Sequence, residues 1–582
     1  ATFELWLQKA AVRAQSLPEL RKRLESSLPP AGAPGPHGAG IGHTRWATHG
    51  APTEANAHPH LDCTGRIAIA HNGIIENHRA LRARLTEAGH HFASGTDSEV
   101  IAHLIEDELE AGRDLAGALR ACLEVLDGDF AIVATSVGEP DLLVGTRRTS
   151  PLIVGVAESM GLVASDIAAG LATTRELFVL GDDEVVEVRP GRLRVTTAEG
   201  VECVPRALEV RWEPGAAERE GFEDFMSKEI HEQPRALADT LLGRVSPGGA
   251  TDIEELGLGT DELGSIERVS IIACGSSFHA GLVGRACVES WARLPTTTEI
   301  ASEFRYRDPV LDERTLVIAI SQSGETVDTF QALREARRKG ARAVVLTNVV
   351  DSLMAREADG VLYTRAGPEI GVASTKCHLA QLAMLELFAL HLAMANGAVE
   401  ATKLQGLARH LLELPAAVES ALGRRGEYAA AARRLAGVND VYFLGRGLGL
   451  PVALEGALKL KELAYIRAEA YPAGEMKHGP ISLIEPGVVA VVVATRGRLW
   501  EKVMANVAEV QARGASVMAV CDEDDTETPG LVDEVMMVPH LPELLSPVVN
   551  VVPLQVLAYS VAKARGNDVD RPRNLAKVVT VE

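Results

Sequence analysis

A strand–turn–helix–strand unit occurs twice in this chain at a constant offset of 174 residues, and no other feature restricts the fold as much. Residues 315–348 read as strand, turn, helix, Lys339-Gly340-Ala341, then strand. Residues 489–522 repeat the order with Arg513-Gly514-Ala515 in the same place. Ser321 falls on Thr495 and Gly340 on Gly514. The strands upstream end in Cys274-Gly275-Ser276 and in Gly445-Arg446-Gly447, at nearly the same offset. A period this long implies duplicated domains rather than a solenoid. Strands alternating with amphipathic helices imply parallel sheets. The candidate strands are 269–273, 316–320, 343–346, 441–444, 488–493 and 517–520.

The first two hundred residues have a different texture. Short strand signals (66–70, 130–135, 152–156, 185–188) are interrupted by helical stretches at 77–88 and 97–109. This predicts an α+β domain on antiparallel sheets. Residues 29–42 are Pro/Gly-rich and should be irregular. The expected division is 1–212 for this domain, 213–238 for a polar linker, 239–425 and 426–565 for the α/β repeats, and 566–582 for a flexible tail.

With 582 residues, 46% apolar and 24% charged, the chain is globular in composition. A net charge of −22 argues against a general nucleic-acid binder. The seven cysteines include no CxxC pair, so neither a disulfide framework nor a zinc ribbon is indicated. A reducing, cytoplasmic setting is expected. No membrane span is expected, because no segment reads as a run of about 18 apolar residues.

The first repeat carries a phosphate signature. Its strand ends in Ser321-Gln322-Ser323-Gly324-Glu325-Thr326, and a helix follows. The free N–H groups at a helix start favour an anion, and Ser321, Ser323 and Thr326 add hydroxyl donors. Gly275-Ser276-Ser277 could form a second wall. The competing reading is an ordinary Ser/Thr N-cap. The matching turn of the second repeat, Thr495-Arg496-Gly497-Arg498, lacks the hydroxyls, so one phosphate site per chain is expected.

Glu455, Lys459 and Glu462 sit at i, i+4 and i+7 of a predicted helix and share one face. This is either a surface salt-bridge ladder or an acid–amine–acid set. The Gly/Pro-bounded loop 471–480 presents His478, suited to proton transfer on a sugar ring. Only 12 of the 58 basic residues are lysine. Lys577 sits between Ala576 and Val578, an apolar setting; if buried its pKa would fall, which suits imine chemistry, and if exposed it is an ordinary surface lysine.

The N-terminal half is rich in histidine (His43, His49, His58, His60). A metal site is the obvious alternative there, but acidic ligands are few nearby and HExxH is absent, so no metal is expected. Arg45 could pair with a carboxylate, Asp97 with an ammonium, and Asn72 with the Gly73 N–H could form an oxyanion hole. These are parts for holding an amino acid and hydrolysing its side-chain amide.

The motifs GIGHTRWATHG, HNGIIEN, SQSGET, EIGVASTK, EGALKLKE, EMKHGP and PRNLAKVVTVE occur in one order. As a set the chain resembles the glutamine–fructose-6-phosphate aminotransferase (isomerising) family from about Gly40 onward. The resemblance implies an N-terminal-nucleophile glutaminase domain followed by two sugar-isomerase (SIS) domains, converting fructose 6-phosphate and glutamine into glucosamine 6-phosphate and glutamate. By the same resemblance, Ser276, Ser277, Ser321, Gln322, Ser323, Thr326, Val372 and Ala576 hold the phosphosugar. Lys577 forms the imine, Glu462 moves a proton between C1 and C2, and His478, from the partner of a homodimer, assists ring opening. Glu455 and Lys459 complete the site. Arg45, Trp46, Thr48, His49, Asn72, Gly73 and Asp97 bind glutamine, with Trp46 gating ammonia. No cofactor is implied. The family's leading Cys-Gly-Ile-Val-Gly is not found in this sequence, whose first cysteine is Cys63. The sequence as written is therefore expected to be truncated and to release no glutamate. The alternatives are an isomerase or ammonia-dependent synthase without glutamine use, and a phosphosugar-binding regulator.

Overall fold

The computed structural model describes residues 5, 7–11, 16–27, 38–44, 51, 53–165, 169–170, 174–208, 219–435 and 437–579. The chain divides into two compact units, Ala1–Pro214 with Val579–Glu582, and Gly215–Val578.

In the first unit the strand Ile67–Ile75 pairs antiparallel with Gly128–Ser136, from Ile67 opposite Ser136 to Ile75 opposite Gly128. This pair lies within a seven-stranded sheet, and the unit also holds a four-stranded one. Helices Glu99–Glu110 and Leu115–Leu123 bury Val100, Ile101, Ala118 and Leu119 against Ile69, Ile75 and Phe130 of that pair. The helices expected at 77–88 and 97–109 are present as His78–Ala88 and Glu99–Glu110. Leu115–Leu123 is an additional helix, capped by Asp114, whose side chain accepts from the Gly117 N–H.

The second unit contains two five-stranded sheets, both wholly parallel. The first runs Thr296–Ile300, Arg268–Ala273, Thr315–Ile320, Arg342–Thr347, Gly360–Tyr363 in spatial order. The second runs Arg467–Pro472, Asp440–Gly445, Val489–Val493, Ser516–Asp522, Glu534–Val538. Counted along the chain, both have the order 2-1-3-4-5, so the repeat read from the sequence is a repeat of topology. The long apolar helices Lys376–Ala395 and Ser546–Ala564 share one core with both sheets.

Three local expectations are corrected. Residues in the presumed linker form helices Phe225–His231 and Gln233–Leu241, whose Met226, Ile230 and Leu237 lie in the main core. The presumed flexible tail is tied down: the Asp570 carboxylate accepts the N–H groups of Phe225 and Met226 at 3.0 and 2.9 Å, and the Tyr465 hydroxyl accepts the Arg573 N–H at 2.8 Å. Helices Lys376–Ala395 and Ser546–Ala564 do have the length and hydropathy of a membrane span, but 89% and 78% of their apolar windows are buried inside the protein.

Candidate active site

The turn after strand Thr315–Ile320 behaves differently from an N-cap. Thr326 occupies the N-cap of helix Val327–Arg338 but makes no side-chain cap bond. Its hydroxyl pairs instead with Ser321 Oγ at 2.9 Å, and Ser321 Oγ accepts the Gly324 N–H at 3.0 Å. Ser323 Oγ accepts the Glu325 N–H at 3.1 Å. Three hydroxyls are thereby gathered over the free N–H groups of a twelve-residue helix, which is an anion-binding arrangement. Gly324 makes the tight turn possible: its φ is +67°, and a Cβ there would collide with Ser352. Gln322 supports the loop through its carbonyl, which accepts the Asn348 N–H at 3.0 Å.

Ser276 and Ser277 open helix Gly275–Cys287 and face other partners. Ser277 Oγ accepts from Gln381 Nε2 at 3.1 Å. Ser276 Oγ donates to Glu455 Oε1 at 2.9 Å and accepts from Lys459 Nζ at 3.2 Å. This links the first repeat to helix Gly449–Ala464 of the second. On that helix Lys459 Nζ lies 3.4 Å from Glu455 and 2.6 Å from Glu462. The face is no surface ladder, because Glu455 and Lys459 are fully buried and only Glu462 reaches outward, with its side chain 19% exposed. His279, which no sequence pattern singles out, holds the other Glu455 oxygen at 2.7 Å.

Burial alone would raise the Glu455 pKa, but Lys459, His378 and His279 hold it well below the usual carboxylate range. Burial would lower the Lys459 pKa, yet Glu462 and Glu455 push it up. Both groups stay charged, and neither charge can be removed singly at low cost. Lys459→Met should therefore lower the unfolding free energy by about 3–5 kcal/mol, as expected when one partner of a buried ion pair is lost. Urea unfolding of the variant beside the parent measures this, and a change under about 1 kcal/mol would contradict the buried-pair account.

Lys577 is 20% exposed and is not in the apolar setting expected for it. Its Nζ donates to Glu369 Oε2 at 2.5 Å and to the Gly371 carbonyl at 2.8 Å. Glu369 is fully buried, and its other oxygen accepts the N–H groups of Thr375 and Cys377 at 2.9 and 3.0 Å. Glu229 backs the same loop by accepting the Ile370 and Gly371 N–H groups. The two carboxylates part in character. Burial and the Glu369 charge raise Glu229 to about 7, whereas Lys577 and the backbone donors overcome burial and depress Glu369. Glu369, Glu229 and His279 are partners that only the fold reveals. The EIGVASTK motif contains Glu369, but its spacing from Lys577 is 208 residues.

Val372 lies on the Glu369 loop, its N–H bonded to the Asp570 carbonyl at 3.0 Å, and Ala576 is exposed beside Lys577. His478 ends the short 3-10 segment Ala473–His478 and is exposed, and it enters none of the hydrogen bonds of the Ser276–Glu455–Lys459 group. In the second repeat the corresponding turn is occupied by the protein itself. The Arg496 N–H donates to the Asp522 carboxylate, and its guanidinium meets Asp525 at 2.6 Å.

In the first unit, Arg45, Trp46, Thr48 and His49 lie outside the described residues. Asn72 and Gly73 stand in strand Ile67–Ile75, where Gly73 has φ +137° and leaves no room for a Cβ against Asp129. Asp97 is buried, and its Oδ2 accepts the Ile75 N–H at 2.9 Å, which holds it beside that strand. Of the histidines suspected as ligands, His58 lies between His43 and His60, its ring tilted against the first at 4.4 Å and edge-on to the second at 4.6 Å between centroids.

Comparison with known proteins gives a consistent result. Residues 43–172 match the family described as a glutamine amidotransferase domain, and residues 262–391 and 434–565 each match the SIS domain. The glutamine–fructose-6-phosphate aminotransferase (isomerizing) of Streptomyces coelicolor is 50% identical over 576 residues, covering 98% of this chain and 93% of the relative. That of Thermus thermophilus is 50% identical over 543 residues, covering 93% and 89%. The C-terminal domain of glucosamine-fructose-6-phosphate aminotransferase from Francisella tularensis superposes with a TM-score of 0.58 at 36% identity, covering 61% of this chain and all of that domain.

Proposed function

Because the chain belongs to the glutamine–fructose-6-phosphate aminotransferase (isomerizing) family, with an amidotransferase domain followed by two SIS domains, we propose that its second unit aminates and isomerises fructose 6-phosphate with nitrogen from glutamine or ammonia. One observation carries the assignment of the sugar site. Ser276 of the first repeat is bonded to both Glu455 and Lys459, which brings an acid–amine–acid helix face against the repeat that holds the hydroxyl-lined turn.

The residues divide the work by chemistry. Ser321, Ser323 and Thr326, with the helix start beneath them, take the sugar phosphate, supported by Gln322 and the Ser277 side of the neighbouring helix. Lys577 loses a proton and attacks the C2 carbonyl of the open-chain ketose. Water leaves, and an imine forms. Ammonia then replaces the lysine on C2. Glu462 takes a proton from C1 and a proton is returned to C2, giving the 2-amino aldose. Glu455 and Lys459 touch no solvent and serve as positioning residues for Glu462. Glu369, Val372 and Ala576 shape the seat of Lys577. His478, exposed on its own chain, is available to the site of a second copy, which favours a homodimer. Asn72, Gly73 and Asp97 fit the binding of glutamine, as do Arg45, Trp46, Thr48 and His49 by resemblance. Seven free cysteines suit a cytoplasmic enzyme. The expected limits of the two sugar-isomerase halves, 239–425 and 426–565, fall inside helices Gln233–Leu241 and Arg425–Ala431, so the halves are proposed to begin and meet at the starts of those helices.

The loss of glutamine hydrolysis expected above rests only on where the sequence begins, and neither the amidotransferase match nor the structure bears on it. The test uses fructose 6-phosphate with either ¹⁵N-amide glutamine or ¹⁵N-ammonium. Glucosamine 6-phosphate carrying ¹⁵N at C2 is expected. Label from glutamine as well as ammonium assigns the coupled reaction. Formation of an unaminated aldose 6-phosphate alone would replace the proposal with a simple isomerase.

A further inference from the structure

Four side chains of the first unit, remote in sequence, converge on one point. Cys63 lies in the turn between strands His60–Leu61 and Ile67–Ile75. His90 follows helix His78–Ala88, which ends at the left-handed Gly89. His103 and Glu106 are one turn apart on helix Glu99–Glu110. Cys63 Sγ is 3.4 Å from His90 Nδ1 and 3.5 Å from His103 Nδ1. Glu106 Oε2 is 3.0 Å from His90 Nδ1 and 3.2 Å from His103 Nδ1. All four donor atoms lie within 4.8 Å of one another. The side chains of His90, His103 and Glu106 are 10%, 1% and 7% exposed.

Both imidazoles turn the same nitrogen inward, and each has a carboxylate behind it. His90 Nε2 is 2.8 Å from Asp107 Oδ1, and His103 Nε2 is 3.8 Å from Glu99 Oε1. At 2.8 Å the Asp107 carboxylate favours a proton on His90 Nε2 and leaves its Nδ1 as a lone pair, while the Glu99 carboxylate lies behind His103 beyond hydrogen-bond reach. Both Nδ1 atoms face the same carboxylate oxygen and the same sulfur. Glu106 Oε2 also accepts the Cys63 N–H at 3.1 Å, and a cation at the centre would take one further lone pair from each of the four groups. The size is also close. Bonds of about 2.0–2.3 Å in a tetrahedron require donor separations of roughly 3.3–3.8 Å, against 3.0–3.5 Å for the four separations that involve Nδ1.

We propose that Cys63, His90, His103 and Glu106 form a metal site for a zinc-type divalent cation. One thiolate, two imidazoles and one carboxylate make a mixed soft and borderline set that suits zinc and disfavours magnesium or calcium. Four protein donors fill the tetrahedron, so the site is structural rather than catalytic. It clamps the start of the main sheet to the segment that leads from His90 to Asp97, and the His91 N–H donating to Cys63 Sγ at 3.4 Å extends that clamp. The expectation of no metal rested on the histidines between His43 and His60 and on the lack of a CxxC pair, and neither pattern covers a set whose one cysteine and two histidines are 13 to 40 residues apart.

The test uses the full chain. The purified protein is assayed for metal, stripped with chelator, and titrated with cobalt(II). One equivalent should bind, giving the intense visible bands of tetrahedral cobalt and a thiolate-to-cobalt charge-transfer band, both abolished by added zinc. Cys63→Ser should lose the charge-transfer band and weaken zinc binding by at least about tenfold, in the range seen for lost ligand-shell groups. Cys203→Ser should change neither. Absence of saturable one-equivalent binding in the parent protein overturns the proposal whether or not a variant folds. So does a Cys63→Ser protein whose cobalt spectrum matches the parent's.

Discussion

Lys577→Arg should abolish amino-sugar formation, lowering kcat by about 10³-fold or more, while the protein remains folded. The arginine keeps a positive charge opposite Glu369, so the buried carboxylate is not left unpaired. A guanidinium does not form an imine under these conditions, so the covalent step is what the substitution removes. Two measurements separate this from a packing effect. Borohydride reduction in the presence of fructose 6-phosphate should add the mass of the sugar phosphate less one oxygen (water lost on imine formation, two hydrogens gained on reduction) to the parent protein and not to the variant. The phosphosugar should still bind the variant with little change in Kd, because the hydroxyl-lined turn is untouched. An active variant, or one that is trapped as efficiently as the parent, would remove Lys577 from the reaction.

Glu462→Gln should lower kcat by about 10²–10⁴-fold, the usual contribution of a positioned acid–base group. Of the three residues on its helix face, it is the one with a side chain that reaches solvent. Lys459 retains Glu455 as a partner at 3.4 Å in the variant, so the loss of stability should be far smaller than for Lys459→Met. The discriminating readout is isotopic. In deuterium oxide the parent should incorporate deuterium at C2 of the product, and the variant should slow that incorporation in step with kcat while KM for fructose 6-phosphate changes little. Undiminished incorporation would assign the proton transfer to another group.

The interior strands of both parallel sheets were legible because a strand paired on both edges and covered on both faces is a continuous apolar run, as in Thr315–Ile320 and Val489–Val493. The edge strands were not. Of the four edge strands only Arg467–Pro472 lacks β-branched residues, while Thr296–Ile300, Gly360–Tyr363 and Glu534–Val538 carry β-branched or apolar side chains in runs of four or five residues, too short to stand out. The same division applies to the site. The hydroxyl-lined turn and the Glu455–Lys459–Glu462 face are local patterns of a few residues, and both could be found in the sequence. Glu369 could not, because its meaning comes from an amine 208 residues away. The Cys63 group has the same character: only His103 and Glu106 stand at helical spacing, and the other donors arrive through a turn and a helix end. Apolar setting, inferred for Lys577 from its sequence neighbours, failed because a residue's spatial neighbours decide its environment.

The Arg496 turn of the second repeat gives the molecule an internal reference. Two sheets of one topology end in equivalent turns, yet one leaves its hydroxyls grouped over a helix start while the other closes on Asp522 and Asp525. An oxyanion arriving at the second turn would have to evict a tethered carboxylate that is already in place. One turn is thus left open to the anion proposed for it, and in the other the same geometry is held closed by the protein's own carboxylates.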